Sequence, residues 1–235
     1  MEVRKLAKSE RQRQKKLEKK RSKERQQKQI AANDKRLLAS LTGMMQSANR
    51  GKIHGCYLGR SHEGTEVNGM VSIMLVRSGP RGQLAFANTL VDLWCLGIKD
   101  CTGQLATPLE FRNMMEDLRE SLELESIEPS VARGIIEAGV QYAASLGLAP
   151  HPDYCKIELL WGDIPIGGIP PGLEVGRDGR PCYIVGPYDD LHKQNRITRA
   201  LCDSVGEGNF EFVTAEQQRL MRAGYQMPFS AYQDV

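Results

Sequence analysis

The sequence predicts an α+β fold: an antiparallel β-meander with packed helices and a second small hairpin, preceded by a basic N-terminal helical arm. Three observations lead there. Short apolar runs broken by Gly/Pro turns fill residues 53–96, capped stretches of helical periodicity follow over 107–147, and residues 1–36 are dominated by Lys, Arg, Gln and Glu. Strands that precede helices, instead of alternating with them, point to segregated α+β packing. A chain of 235 residues, 40% hydrophobic and 26% charged, suits one core plus an appendage. We divide it into a basic arm, 1–36, and a single α+β domain, 37–235.

The arm holds 15 Lys or Arg against five acids, a net +10, whereas the remainder is −7 and the whole only +3. Good helix formers run without Gly or Pro as far as Gly43. Apolar residues are too sparse for a buried face, so residues 1–30 are expected to be a solvated, part-time helix that orders on contact. From Ile30 to Met45 the apolar residues Ile30, Leu37, Leu38, Leu41, Met44 and Met45 recur near helical spacing, and this end should dock on the body.

In the body, Ile53–Gly59 and Met70–Arg77 are expected strands joined by a polar stretch, and Ser78 to Gly82 a turn. Leu84–Leu96 is the expected third strand, ended by Gly97. Thr107–Pro108 supplies an N-cap and a first-turn Pro for a helix reaching about Leu124. Pro129–Ser130 opens a second helix with Ile135, Ile136, Val140 and Ala143 on one face and Gly147 as its stop. A shorter helical piece spans His151 to Trp161, and 162–172, with three Pro and four Gly, is a loop. Asp178–Gly179 marks a hairpin turn within Leu173–Val185. A helix starts at Asp189 or Asp190 and runs to Val205, a last strand covers Asn209–Val213, and Thr214–Tyr225 is a final helix capped by Thr214.

Three segments carry a resemblance: 91–100 (VDLWCLGIKD), 186–190 (GPYDD) and 206–210 (GEGNF). Together with the basic start, they resemble an uncharacterised family of bacterial proteins with no assigned activity, over roughly residues 52–213. The resemblance implies a bacterial, cytoplasmic protein and no catalytic residues.

The candidate chemistry is limited. Six cysteines, none in a C-x-x-C pair, indicate a reducing compartment. His54 and Cys56, two apart on a strand, share a face and with His62 and Cys101 could contribute to a zinc site, although only half of the usual paired spacing is present. Isolated side chains on a sheet are the competing explanation. Cys95, between Asp92 and Lys99, lies in an apolar run where a thiol behaves as a small hydrophobe. Asp92 in an apolar strand needs a partner, Lys99 or an Arg. If Asp92 met Asp189, Asp190 and His192 across the fold, the carboxylates could bind Mg²⁺ for phosphodiester hydrolysis. Alternatively, Asp189 or Asp190 caps a helix and Asp92 closes a salt bridge. No nucleotide-loop, G-x-S-x-G or H-E-x-x-H motif occurs, and no cofactor is expected.

The arm is therefore the strongest functional signal. Arg11, Arg13, Lys15, Lys16, Lys19, Lys20, Arg21, Lys23 and Arg25 would contact phosphates, with no aromatic residue before Tyr57 for stacking on bases. The expected partners are nucleic acid or a ribonucleoprotein on the arm and a protein on the acidic body. No apolar run approaches the length of a membrane span, and the charged first residues lack the apolar core of a secretory signal. A solvated tail, a pure protein adaptor and a hydrolase remain the alternatives.

Overall fold

The computed structural model describes residues 16, 18–26, 28, 29, 32, 36, 38–61, 69–214, 216 and 217. Five strands form one antiparallel sheet: β1 (Ile53–Ser61), β2 (Met70–Ser78), β3 (Leu84–Asp92), β4 (Gly97–Ala106) and β5 (Leu122–Ser126), in the order β4-β3-β2-β1-β5. Central β2 shows why the sheet is covered on both sides. Its Val71, Ile73 and Leu75 belong to one buried cluster, and its Met74 and Val76 to another. Such a nearly continuous apolar run marks a strand shielded on two faces, not a half-exposed one.

Helix α1 (Leu41–Ala48), helix α2 (Pro108–Ser121), helix α3 (Pro129–Ser145) and the single turn α4 (Tyr154–Ile157) provide that cover. Met45 and Ala48 of α1, and Ile135 and Ile136 of α3, join Val71, Ile73, Leu75 and Trp161 in the larger cluster. Met115 of α2 packs with Met74, Val76, Phe86 and Ala106 on the opposite face. Each fully buried aliphatic side chain contributes about 1.5–3 kcal/mol, so these two clusters hold the layers together. The expected docking of the segment around Leu41–Met45 is present; Ile30 and Leu37 lie outside the described residues.

Local chemistry explains the helix boundaries. Thr107 accepts from the Glu110 amide at 3.3 Å while the Glu110 carboxylate accepts from the Thr107 amide at 2.7 Å, closing a reciprocal cap around Pro108. Gly147, with φ of 73°, stops α3 where the sequence placed its end.

Two expected elements divide. The strand expected to continue to Leu96 ends at Asp92, a turn occupies 93–96, and Gly97, expected as a terminator, starts β4. The apolar run was misleading because residues 93–96 are buried in a turn, not a strand. The helix expected to reach Leu124 ends at Ser121, where Leu122 turns to extended backbone and the alternating Leu-Glu-Leu-Glu becomes β5.

The second small sheet is not a hairpin. Arg177 and Arg180 form a single antiparallel bridge around Asp178 (φ 50°) and Gly179 (φ 76°), so the turn is real. However, β6 (Cys182–Ile184) pairs in parallel with β7 (Glu211–Val213), with helix α5 (Leu191–Val205) as the crossover. A parallel pair requires such a connection, and the intervening helix supplies it. Thr214 and Gln217 cap each other as expected of a helix start; the rest of the helix expected over 214–225 lies outside the described residues.

Candidate functional site

The segments 91–100, 186–190 and 206–210, separated in sequence, converge where β3–β4 meets the β6–α5–β7 unit. Cys95, Leu96, Tyr183, Val185, Ile197 and Leu201 form a buried cluster against which Phe210 packs. The turn after β3 also serves as the docking edge: the Cys182 amide donates to the Trp94 carbonyl at 3.0 Å, and the Gly176 amide to the Leu93 carbonyl at 2.9 Å. Arg177 lies 5.3 Å above the Trp94 ring and pairs with Glu211 at 3.1 Å. The Asn209 amide donates to the Val205 carbonyl at 2.8 Å, closing the end of α5.

The aspartates at this junction each have a structural partner. Asp92 is buried, and its Oδ1 accepts from the Trp94 and Cys95 amides at 3.0 and 3.1 Å, which makes the 93–96 turn. Burial pushes its pKa up, and the Lys99 charge and those amides pull it down. Asp189 is also buried. Its Oδ2 accepts from the Tyr183 hydroxyl at 3.0 Å and the Gly186 amide at 2.7 Å, and its Oδ1 pairs with Lys193 at 2.6 Å. Burial opposes ionisation of Asp189, but Lys193, the Gly186 amide and Tyr183 together outweigh it and hold the carboxyl below its ordinary value. Asp190 caps α5 by accepting from the Lys193 amide at 2.7 Å, and His192 is exposed on the first turn. Lys99 connects the two motifs: a Cβ added at Gly186 would sit 3.3 Å from the Lys99 Cε and 3.0 Å from the Asp189 Oδ2. The expected convergence of Asp92 and Asp189 on this region is present, but their oxygens face amides, a hydroxyl and ammonium groups. Among the described residues, no group of three or more His, Cys, Asp or Glu is placed to hold a metal ion.

The expected sharing of a face by His54 and Cys56 fails for a geometric reason. The β1–β2 register shifts between Ile53 and Gly55, leaving His54 exposed with its Nε2 2.8 Å from the Ser78 hydroxyl, while Cys56 points into the core. Burial pushes the Cys56 thiol up to about 12. His62 lies outside the described residues. Cys95 is fully buried, and burial together with the Asp92 charge raises its pKa.

A pairing that the sequence did not reveal involves Cys101. Its sulfur lies 3.5 Å from the His151 Nδ1, and the His151 Nε2 lies 4.0 Å from an Asp100 oxygen. The Asp153 amide donates to the same Nδ1 at 3.2 Å, so the neutral ring carries its proton on Nε2, toward Asp100. This order of atoms suits a thiol nucleophile, but Cys101 is only 6% exposed, and burial, Asp100 and Asp153 push it up to about 11. The thiol is held neutral. Fifty residues separate Cys101 from His151, so no local spacing could have indicated the contact.

The described arm residues 16, 18–26, 28, 29, 32 and 36 are helical and exposed. Lys16, Lys19, Lys20 and Lys23 recur at i, i+3 and i+4 and occupy one stripe of about 100° over about 10 Å of helix. Arg21 and Arg25 lie on a second. Arg11, Arg13 and Lys15 are outside the described residues. Among the described residues, no helix is long and apolar enough to cross a membrane. Comparison with protein-family models, curated proteins and solved structures returned no match.

Proposed function

We propose that this is a non-enzymatic accessory protein whose basic arm binds nucleic acid or a ribonucleoprotein and whose acidic body contacts a protein partner. The observation that carries this reading is the exposed helix bearing Lys16, Lys19, Lys20 and Lys23 on one stripe, beside a body of opposite net charge. Lysines along a helix face can follow a phosphate backbone, and the release of condensed counterions drives the association. Without aromatic residues in the arm, such binding carries little sequence preference.

The test is binding of the full chain to duplex DNA and to RNA across a salt series, beside the quadruple Lys→Gln variant at 16, 19, 20 and 23. The plot of log K against log salt should flatten by about 0.7–0.9 for each phosphate that the variant no longer neutralises. An unchanged slope refutes the assignment.

The protein-adaptor reading has its own observation. Tyr188 is 93% exposed and Leu191 75%, side by side at the start of α5. Exposed aromatic and aliphatic side chains of this kind commonly anchor protein contacts. Partner capture that survives nuclease treatment and removal of the arm lysines favours the adaptor. The hydrolase built on Asp92, Asp189, Asp190 and His192 has no comparable support, since three of these side chains are engaged in capping or ion pairing.

A further inference from the structure

The five-stranded sheet ends in an unpaired edge. Among the described residues, β5 pairs only with β1, leaving its outer side without a strand. An edge strand directs every second N–H and C=O outward, and a free chain of the right pattern can complete the ladder. The side chains of β5 specify that pattern. Leu122 and Leu124 are half-buried, Leu124 within the α2 cluster, whereas Glu123 and Glu125 are exposed on the other face.

The surroundings are acidic. Residues 108–128 hold seven acids and two arginines, and all seven acids are exposed. Arg60 of β1 adds one cation, bound to Glu125 at 2.7 Å. Glu120 and Glu128 flank the strand at its two ends. Self-pairing of β5 with a second copy would bring Glu123 and Glu125 against like charges, which is unfavourable. A basic strand would find attraction instead.

Resting on the reading that the acidic body contacts a protein, we propose that β5 is the docking edge for an extended basic segment of a protein partner. Its sequence alternates Lys or Arg with aliphatic residues. Strand alternation fixes this choice: residues of the added strand beside Glu123 and Glu125 are basic, and those beside Leu122 and Leu124 are apolar. The backbone ladder supplies affinity, and the alternation supplies register.

The experiment uses full-length protein and a twelve-residue peptide alternating Lys and Val. A second peptide has the same composition in two blocks, and a third keeps the alternation but carries N-methylated valines. The alternating peptide should bind and slow amide hydrogen exchange at 122–126. The block and N-methyl peptides should bind about tenfold more weakly and protect nothing there. The E120Q/E123Q/E128Q variant, which leaves the Arg60–Glu125 pair intact, should lose about tenfold in affinity for the alternating peptide. Equal binding of all three peptides, or protection elsewhere, overturns the proposal. So does strong protection of the outward β5 amides in free protein, which would mean that the chain covers its own edge. Duplex DNA binding by the same samples reports separately on the arm, so failure at β5 leaves the nucleic-acid reading untouched, and the reverse.

Discussion

If Asp189 is a structural post and not a catalytic acid, two substitutions should differ in a way set by its geometry. Tyr183 and Gly186 both donate to Oδ2, while Lys193 pairs only with Oδ1. In Asp189→Asn the amide oxygen can take the Oδ2 position and keep both buried donors satisfied. What disappears is the Lys193 pair, and because that lysine is 38% exposed its contribution is discounted, leaving a cost of about 1.5 kcal/mol. Asp189→Ala also strands the Tyr183 hydroxyl and the Gly186 amide, for a cost of about 3 kcal/mol or more. Urea unfolding with a slope of about 2.5 kcal/mol/M would place the two midpoints about 0.6 M and 1.2 M below the parent.

The pH dependence has a definite sign. The folded carboxyl is held below its unfolded value near 4, so its stabilisation is complete above that value and is lost as pH falls through the lower, folded pKa. The gap between the parent and the Asn variant should therefore be constant at neutral pH and close in acid. Equal costs for Asn and Ala would refute the division of labour between the two oxygens. A variant more stable than the parent would refute the structural role itself, since carboxylates kept for function are the ones whose removal stabilises.

Other predictions follow from single contacts. Asp92→Asn keeps the acceptor for the 93–96 turn and removes a carboxyl that burial holds protonated to higher pH; thermal unfolding should show no loss at pH 4 and a relative gain as pH rises above it, whereas Asp92→Ala should cost about 2 kcal/mol at either pH. Alkylation of the native protein followed by mass spectrometry should modify exposed Cys155 first and half-buried Cys202 next, leaving Cys56, Cys95, Cys101 and Cys182 until unfolding; early labelling of Cys101 would mean that His151 activates it. Gly134→Ala, which in an open helix would gain about 1 kcal/mol, should instead destabilise by about 2 kcal/mol or more, because the new Cβ would lie 2.2 Å from the Gly167 carbonyl oxygen. A neutral midpoint in urea would show that the 162–172 loop yields freely.

Much of the fold was legible because it is written locally. Caps at Thr107 and Asp190, the stop at Gly147 and the turn at Asp178–Gly179 each follow from one residue's own stereochemistry. Failures occurred where tertiary context decided. The run from 84 to 96 is apolar because the turn at 93–96 is buried beneath the β6–α5–β7 unit, and burial erases the polar signal that normally marks a turn. The parallel pairing of β6 with β7 depends on the α5 crossover, information spread over thirty residues. His54 misled for another reason, since a bulge reverses the alternation that placed it beside Cys56. At the junction, the sequence identified the right aspartates and not their partners: Tyr183, Lys193 and the backbone amides give no motif by which to be recognised.

The way those aspartates are satisfied directs the search for function outward. A carboxylate that accepts two backbone amides, or a hydroxyl, an amide and an ammonium, has little capacity left for substrate or metal. The conspicuous motifs therefore build the joint between the sheet and the β6–α5–β7 unit, and their rigidity is their contribution. What remains unspent lies on the surface: lysines on an exposed helix, seven exposed acids over 108–128, an unpaired strand, and Tyr188 beside Leu191. Each of these gains free energy only by meeting another molecule. The basic and acidic surfaces call for partners of opposite charge, so one molecule could hold a polyanion at its arm and a basic chain at its sheet edge, with salt weakening both associations and nuclease releasing only the first.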